Sequence, residues 1–323
     1  MELRHLQALV AVAEHGSFSA AADHLGTVQS NISAHVARLE RELGSSLVNR
    51  AAGQLTAEGE VVVARAYRVM GELDALVADV GALREAVAGN VRVGMIGTTA
   101  RWLVPVLLSE LAQRHPRLHL MVAEGTTQGL EPQLAAGRFD LAVLTVPVPG
   151  RDLVFEPLFE EDIVLVVPVD DDPLAGIEQI DLTDLERFEL VLAAPGTTFR
   201  REIDAAVEPA GVHLTPRVEL DGVRLVASLT FEGYGPALLP ATAVPAHLRS
   251  RFRLVAVDGL PPRRVGTALR RRGLPSAPAR AVIDTLRDVL ASSEQLPLGL
   301  RALGNEQRAR AEGSLRTVAA PNG

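Results

Sequence analysis

The sequence predicts two fold classes in one chain: an N-terminal all-α winged helix-turn-helix prolonged by a long helix, and a C-terminal α/β domain. Three observations carry that prediction. Ala22, Gly26 and Ile32 stand between two helical apolar patterns at helix-turn-helix spacing. Val62, Ala66, Val69, Leu73, Leu76, Val80, Leu83 and Val87 alternate steps of four and three without a slip, which is an unbroken heptad seam. Beyond Gly89-Asn90, short apolar runs alternate with helical periods, as in α/β sheets.

In the first segment, residues 1–60, Leu3, Leu6, Leu9, Val10 and Ala13 give a helix one buried face. Gly16-Ser17 ends it, and Ser17 is a natural N-cap for a second helix from Phe18 to Leu25. Ala22 lets two helices approach, Gly26-Thr27 makes the turn, and Ile32 begins the stripe Ile32, Val36, Leu39, Leu43 of a third helix ending at Gly44. Such a helix enters the major groove of DNA. Its other face carries Gln29, Ser30, Ser33 and His35. Gln29 suits adenine N6/N7, and Ser30 and Ser33 suit bases or phosphates. His35 divides evenly between a phosphate contact and inert surface, and Arg38 between DNA and a neighbouring carboxylate. Leu47 to Arg50, Ala51-Ala52-Gly53 and Leu55-Thr56 read as a short hairpin, a wing. Arg50 would hold phosphate or reach the minor groove there, unless a local salt bridge takes it.

Charge sets a condition on that reading. The chain carries −8, and its first 60 residues hold Arg4, Arg38, Arg41 and Arg50 against seven carboxylates. Affinity from counterion release is therefore small, and basic groups must be concentrated on one surface.

The seam predicts a helix over 57–88, about 48 Å long at 1.5 Å per residue, whose narrow apolar stripe needs a partner helix. Packing on its own domain is the alternative, and Gly71 and Gly81 weaken the helix. The α/β domain follows over 91–292. Strands are predicted at Val91–Ile96, Leu118–Ala123, Leu141–Leu144, Ile163–Val167, Leu190–Ala193 and Ala237–Leu239, in largely parallel sheets. Helices are predicted at Leu103–Arg114, Gly129–Ala136, Phe199–Val207 and Ala277–Leu290. Residues 293–323 have little periodicity and are expected to be a disordered tail.

Several function classes are excluded or left without a motif. No cysteine is present, which removes disulfides, thiolate zinc sites and thiol nucleophiles. No apolar run reaches the roughly 18 residues of a membrane span, and no signal peptide opens the chain, so a cytoplasmic location is expected. There is no Gly-x-Ser-x-Gly, Walker loop or complete dinucleotide fingerprint. His115 and His119 are separated by Pro116, and Asp170-Asp171-Asp172 reads as a solvated turn, so no metal site is expected.

Specific residues now carry a family resemblance. They are Met1-Glu2-Leu3-Arg4-His5-Leu6, Gly16-Ser17-Phe18-Ser19-Ala20-Ala21-Ala22, Gln29 with Ser33, Leu39-Glu40, Glu42-Leu43-Gly44, Leu47 to Arg50, and Leu55-Thr56 with Gly59. Farther on stands Gly233-Tyr234-Gly235 through Leu239-Pro240. In this order the chain resembles a LysR-type transcriptional regulator from residue 1 to about 292. Val28 stands where that family has a Ser or Thr cap, leaving Thr27 to cap instead, and Val48 replaces a Phe in the wing.

The resemblance implies a linker helix that makes a homodimer, a homotetramer built from two dimers, and an imperfect palindromic operator in double-stranded DNA. It also implies a two-lobed effector domain like a periplasmic binding protein. Lobe I would span about 91–162 and 265–292, and lobe II about 163–264. RNA polymerase is a further implied partner; a membrane is not.

Ligands of a two-lobed α/β fold bind between the lobes, where strands end and helices begin. Three such loops are rich in hydroxyls: Gly97-Thr98-Thr99, Gly125-Thr126-Thr127 and Ala194-Pro195-Gly196-Thr197-Thr198. With Arg101, Thr145 and Tyr234 they form the expected site for a small anionic effector. For any single threonine, helix capping is the competing role, and Trp102 reads equally as core. The function expected is ligand-modulated, sequence-specific DNA binding, without catalysis or a cofactor. The competing readings are an α/β enzyme fused to a DNA-binding module and a solute-binding protein.

Overall fold

The computed structural model of the chain describes residues 1–50, 53–84, 86–146, 148, 150, 152–170, 174–291 and 296–304. Helices α1 (Leu3–His15), α2 (Phe18–His24) and α3 (Gln29–Leu43) close on one core of Leu6, Leu9, Ala22, Ile32, Val36 and Leu39. Ala22 and Ile32 are buried, and Gly26 takes φ +63°, a turn conformation that an L side chain rarely adopts. The wing is the antiparallel pair β1 (Val48–Asn49) and β2 (Gln54–Leu55); Ala51 and Ala52, part of the expected hairpin, lie outside the described residues.

Helix α4 (Ala57–Arg84) leaves the wing directly, because Thr56 Oγ1 accepts from Gly59 N at 3.0 Å and donates to Ser46 O at 2.7 Å. It ends short of the expected boundary at 88. From Ala88 the chain pairs in register with Arg117, and strand pairing displaces the last predicted turn. Val63, Ala66 and Tyr67 pack on the helix-turn-helix, and Tyr67 Oη donates to Glu14 at 2.6 Å. Past them the seam is bare: Val69, Leu73, Leu76, Val80 and Leu83 are all exposed, Leu83 by 88%.

Two six-stranded sheets follow. Lobe I contains β3 (Ala88–Ile96), α5 (Gly97–Arg114), β4 (Arg117–Gly125), α6 (Thr127–Ala136), β5 (Leu141–Thr145) and β6 (Leu153–Glu161). Asp162 then carries the chain into lobe II. There β7 (Ile163–Pro168), β8 (Gln179–Asp181), β9 (Glu189–Ala193), α7 (Thr198–Val207), β10 (Thr215–Leu220), α8 (Val223–Phe231), β11 (Ala237–Pro240) and β12 (Phe252–Asp258) follow in order. The chain returns to lobe I in β13 (Arg263–Arg270), α9 (Ala277–Ala291) and β14 (Leu300–Ala302).

The sheet orders are β14-β6-β13-β5-β3-β4 and β10-β9-β11-β7-β12-β8. They are mixed rather than largely parallel, since β13 pairs antiparallel with β5 and β6, and β7 antiparallel with β11 and β12. The antiparallel pairs β6/β13 and β7/β12 are the strands that flank the two chain crossings between the lobes. The expected disordered tail is also corrected in part. Leu300–Ala302 pairs with Phe159–Glu161, whereas residues 292–295 and 305–323 lie outside the described residues. So do Asp171 and Asp172 of the acidic run. No helix among the described residues is long and apolar enough to cross a membrane.

Candidate functional site

The exposed face of α3 begins with Gln29, Ser30 and Asn31, and the first-turn amides open beside them. Asn31 escaped sequence reasoning, although its place between Ser30 and the buried Ile32 was the available signal. The remaining expected contacts are engaged within the fold. Ser17 caps α2 by accepting from Ala20 N at 3.1 Å. Thr27 does not cap α3: Val28 is the N-cap without a side-chain bond, and Thr27 Oγ1 accepts from Asn31 Nδ2 at 3.0 Å. His35 faces His5 of α1, ring centroids 5.4 Å apart, so its imidazole lies partly inside the core. Arg38 pairs with Glu42 at 3.2 Å, one turn along.

Arg50 bends from the wing back onto α3. Its Nη1 donates to Ser33 Oγ and its Nη2 to Glu40 Oε2, both at 3.2 Å, with the guanidinium 5.5 Å from the Phe18 ring centroid. Glu40 organises this corner by accepting from Leu47 N at 2.9 Å and Val48 N at 3.3 Å. Burial pushes the Glu40 carboxyl up, but the bonds from Leu47, Arg50 and Val48 outweigh it and hold the group below its ordinary range. The wing arginine is thus fixed beside the exposed start of α3, with half its side chain still open to solvent.

Between the lobes lies a cavity of about 340 Å³, near the lower end of the range for ligand pockets. The first turns of α5, α6, α7 and α8 all open on it, so the positive ends of four helices converge. Thr98, Thr126, Thr127, Thr145, Thr197 and Thr198 line it. Two of these hydroxyls also cap: Thr126 for Gly129 N and Thr197 for Arg200 N, each at 3.2 Å. Thr127 and Thr145 bond each other at 3.0 Å.

Four expected residues fall elsewhere. Because α5 starts at Gly97, Thr99 is turned into the core, buried and without a hydrogen-bond partner. Arg101 reaches across to the Thr242 and Ala243 carbonyls and ties lobe I to lobe II. Gly196 bends the loop at φ +84°, away from the cavity lining. Tyr234 precedes β11, whose Ala237 meets Val191 of β9; its neighbour Gly235 lies against the Glu189 carbonyl at the amino end of β9. That is the opposite end of the sheet from Thr197, and Tyr234 stands 56% exposed there.

The charged residues of the cavity were not legible in the sequence. Arg263, at the start of β13, is buried and donates from Nε to Glu161 Oε2 and from Nη2 to Thr98 Oγ1, both at 2.8 Å. Its Nη1 has no hydrogen-bond partner among the described residues. Glu161 Oε1 accepts from Thr242 N at 2.9 Å and from the Thr242 hydroxyl, a second tie between the lobes. At the mouth, Arg224 of lobe II pairs with Glu124 of lobe I. Glu202, one turn into α7, lines the cavity without a hydrogen bond at Oε2. Burial pushes its carboxyl up to about 7, with Arg263 opposing and Glu161 assisting. No cluster of three or more metal-ligating side chains occurs among the described residues.

Comparison with known proteins agrees with both halves of this arrangement. Residues 3–60 match the family model for the bacterial regulatory helix-turn-helix protein, lysR family, and residues 84–291 match the LysR substrate binding domain. A probable hydrogen peroxide-inducible genes activator of Streptomyces viridosporus is 34% identical over 294 residues, 89% of this chain and 94% of that protein. A full-length OxyR from Pseudomonas aeruginosa, carrying aspartate in place of a cysteine, superposes with a TM-score of 0.74 at 26% identity, covering 93% of this chain and 98% of that one. CbnR in complex with its target DNA shares the fold, with a TM-score of 0.65 at 23% identity over 90% of this chain and all of that one.

Proposed function

The chain belongs to the LysR family and is a DNA-binding transcriptional regulator, and from that premise we propose how it reads DNA and what modulates it. Two copies pair through the bare α4 seam and present two α3 helices to the half-sites of an imperfect palindrome; two such pairs make a tetramer. Gln29, Ser30 and Ser33 meet the bases, while Arg50 and Arg38 exchange their carboxylate partners for phosphates. Ser17, Thr27 and His35 support this surface through α2 and α3 and stay near the backbone of the DNA. The protein acts in the cytoplasm, where the operator and RNA polymerase are, and neither catalysis nor a cofactor enters the scheme.

The effector is a small molecule with an anionic group, held between the lobes by Thr98, Thr126, Thr127, Thr145, Thr197, Thr198 and the converging helix amides. A single observation carries this reading: one cavity is lined from both lobes, in a domain attached to the helix-turn-helix by a seam-bearing helix. A ligand touching both lobes favours one lobe arrangement. That preference reaches α4 through Arg68, whose Nε donates to Ala135 O of α6 at 3.1 Å. The switch needs different ligand affinities for two assembly states.

A gel-shift titration on the DNA upstream of the protein's own gene tests the scheme. Gln29→Ala should weaken binding by about 1–3 kcal/mol, on the order of tenfold or more, while the oligomer survives. Unchanged binding would remove Gln29 from the recognition set.

A further inference from the structure

Two groups that line the interlobe cavity from different lobes are incompletely matched, and they are of opposite sign. On lobe I, Arg263 is buried and bonded through Nε and Nη2 only. Its guanidinium lies 5.9 Å from the Phe199 ring centroid, so the side chain is held in place by contacts on several sides. On lobe II, Glu202 lines the same cavity with its Oε2 free of any hydrogen bond, and the charges of Arg263 and Arg201 act on it without a direct ion pair among the described residues. Asp221 stands exposed in the same lining, and Arg224 and Glu124 at the mouth neutralise each other.

A ligand with only a carboxylate would meet Arg263 and the helix amides but would bring its charge against Glu202 and Asp221. A ligand with only an ammonium group would meet Glu202 but would lie among Arg263 and four positive helix ends. A molecule carrying both poles matches both walls and draws them together. We propose that the cavity takes a small zwitterion of the α-amino-acid class, its carboxylate on Arg263 Nη1 and the first turns of α5 and α6, its ammonium on Glu202. This rests on the cavity being the effector site and adds the cationic pole to the anionic one. Both poles must be engaged for the lobes to close, so the ligand's two charges supply the differential affinity that the switch requires.

Isothermal titration calorimetry on the full-length protein tests the proposal with three matched arms: the protein amino acids, their N-acetyl derivatives and the corresponding decarboxylated amines. At least one amino acid should bind, and its two single-pole relatives should bind at least about tenfold more weakly, since each lacks a charge-assisted bond. Glu202→Gln keeps the shape of the wall and should reduce amino-acid affinity by a similar factor while leaving the N-acetyl derivative no weaker. Absence of binding by every amino acid at millimolar concentration, or equal affinity for the N-acetyl form, overturns the zwitterion. Gel shifts run beside each arm keep the two readings apart. If a simple carboxylic acid binds and alters operator affinity, the effector site stands and only the ligand class fails. If no arm binds and the operator is not bound either, both fail.

Discussion

At the scale of single residues, Glu202 carries a direct consequence for stability. Its carboxyl titrates near 7 in the folded protein against an ordinary value of 4.5, with Arg263, Glu161 and Arg201 as the charged groups acting on it. The folded state therefore holds this proton more tightly than the unfolded chain. That contribution is fully present below about pH 4.5 and is lost as pH rises through about 7. Glu202→Gln should accordingly raise the melting temperature at pH 8, by up to about 3 kcal/mol of stability, and the gain should shrink toward zero at pH 4.5. A constant difference across that range would show that Glu202 stays ionised. The hydroxyl loops were legible in the sequence because a threonine at a strand-to-helix junction has only two common uses, capping and ligand contact, and both place it at the helix N-terminus. Arg263 and Glu161 were not. They are separated by 102 positions, and only the double crossing between lobes brings them together.

At the scale of elements, α4 is the part of the chain whose sequence pattern and surroundings agree most closely. Its period was readable because one apolar stripe recurs for eight positions without depending on any other element. The structure leaves Leu73, Leu76, Val80 and Leu83 exposed on a helix of 28 residues, about 42 Å. Leu76→Asp combined with Leu83→Asp should reduce the assembly to monomers in sedimentation equilibrium while the helix-turn-helix core remains folded; a retained dimer would place the interface elsewhere. The start of α4 is equally specific. A Cβ on Gly59 would lie 2.0 Å from the Leu47 carbonyl oxygen, and backbone on both sides leaves nothing flexible to move. Gly59→Ala should cost about 1–3 kcal/mol in the thermal unfolding of the DNA-binding segment. Strands β6 and β10 escaped the sequence for a common reason, a proline within each. Pro157 sits at the register shift of β6 against β13, and Pro216 lies on β10, the edge strand of its sheet. Both are positions where a missing N–H breaks no essential ladder bond, yet in sequence each reads as an interruption.

At the scale of the whole molecule, the chain combines a likeness to a probable hydrogen peroxide-inducible genes activator with a sequence that holds no cysteine. The Streptomyces viridosporus relative is named a probable hydrogen peroxide-inducible genes activator, and the P. aeruginosa OxyR structure was determined with a cysteine replaced. This chain has no cysteine, so no thiolate is available to be oxidised to a sulfenic acid or disulfide. Its sulfur consists of four methionines, of which Met95 is buried in lobe I and Met121 is open on β4. The proposed reversible binding of an effector requires no thiol. The cavity between the lobes offers that route, because the lobes are tied by hydrogen bonds of Arg101, Glu161 and Thr242. Hydrogen peroxide at concentrations that fully oxidise a free thiol control should therefore leave operator affinity within about twofold in a gel-shift titration, a change near the additivity error of such free energies. A tenfold shift under peroxide would point to methionine oxidation at the two exposed positions, Met1 and Met121, and Met121→Leu would then show whether the effector domain is the part affected. Without that shift, the peroxide result agrees with the proposed stimulus, a molecule that prefers one lobe arrangement. Its preference can move the DNA-binding equilibrium only by as much as its affinity differs between the two assemblies.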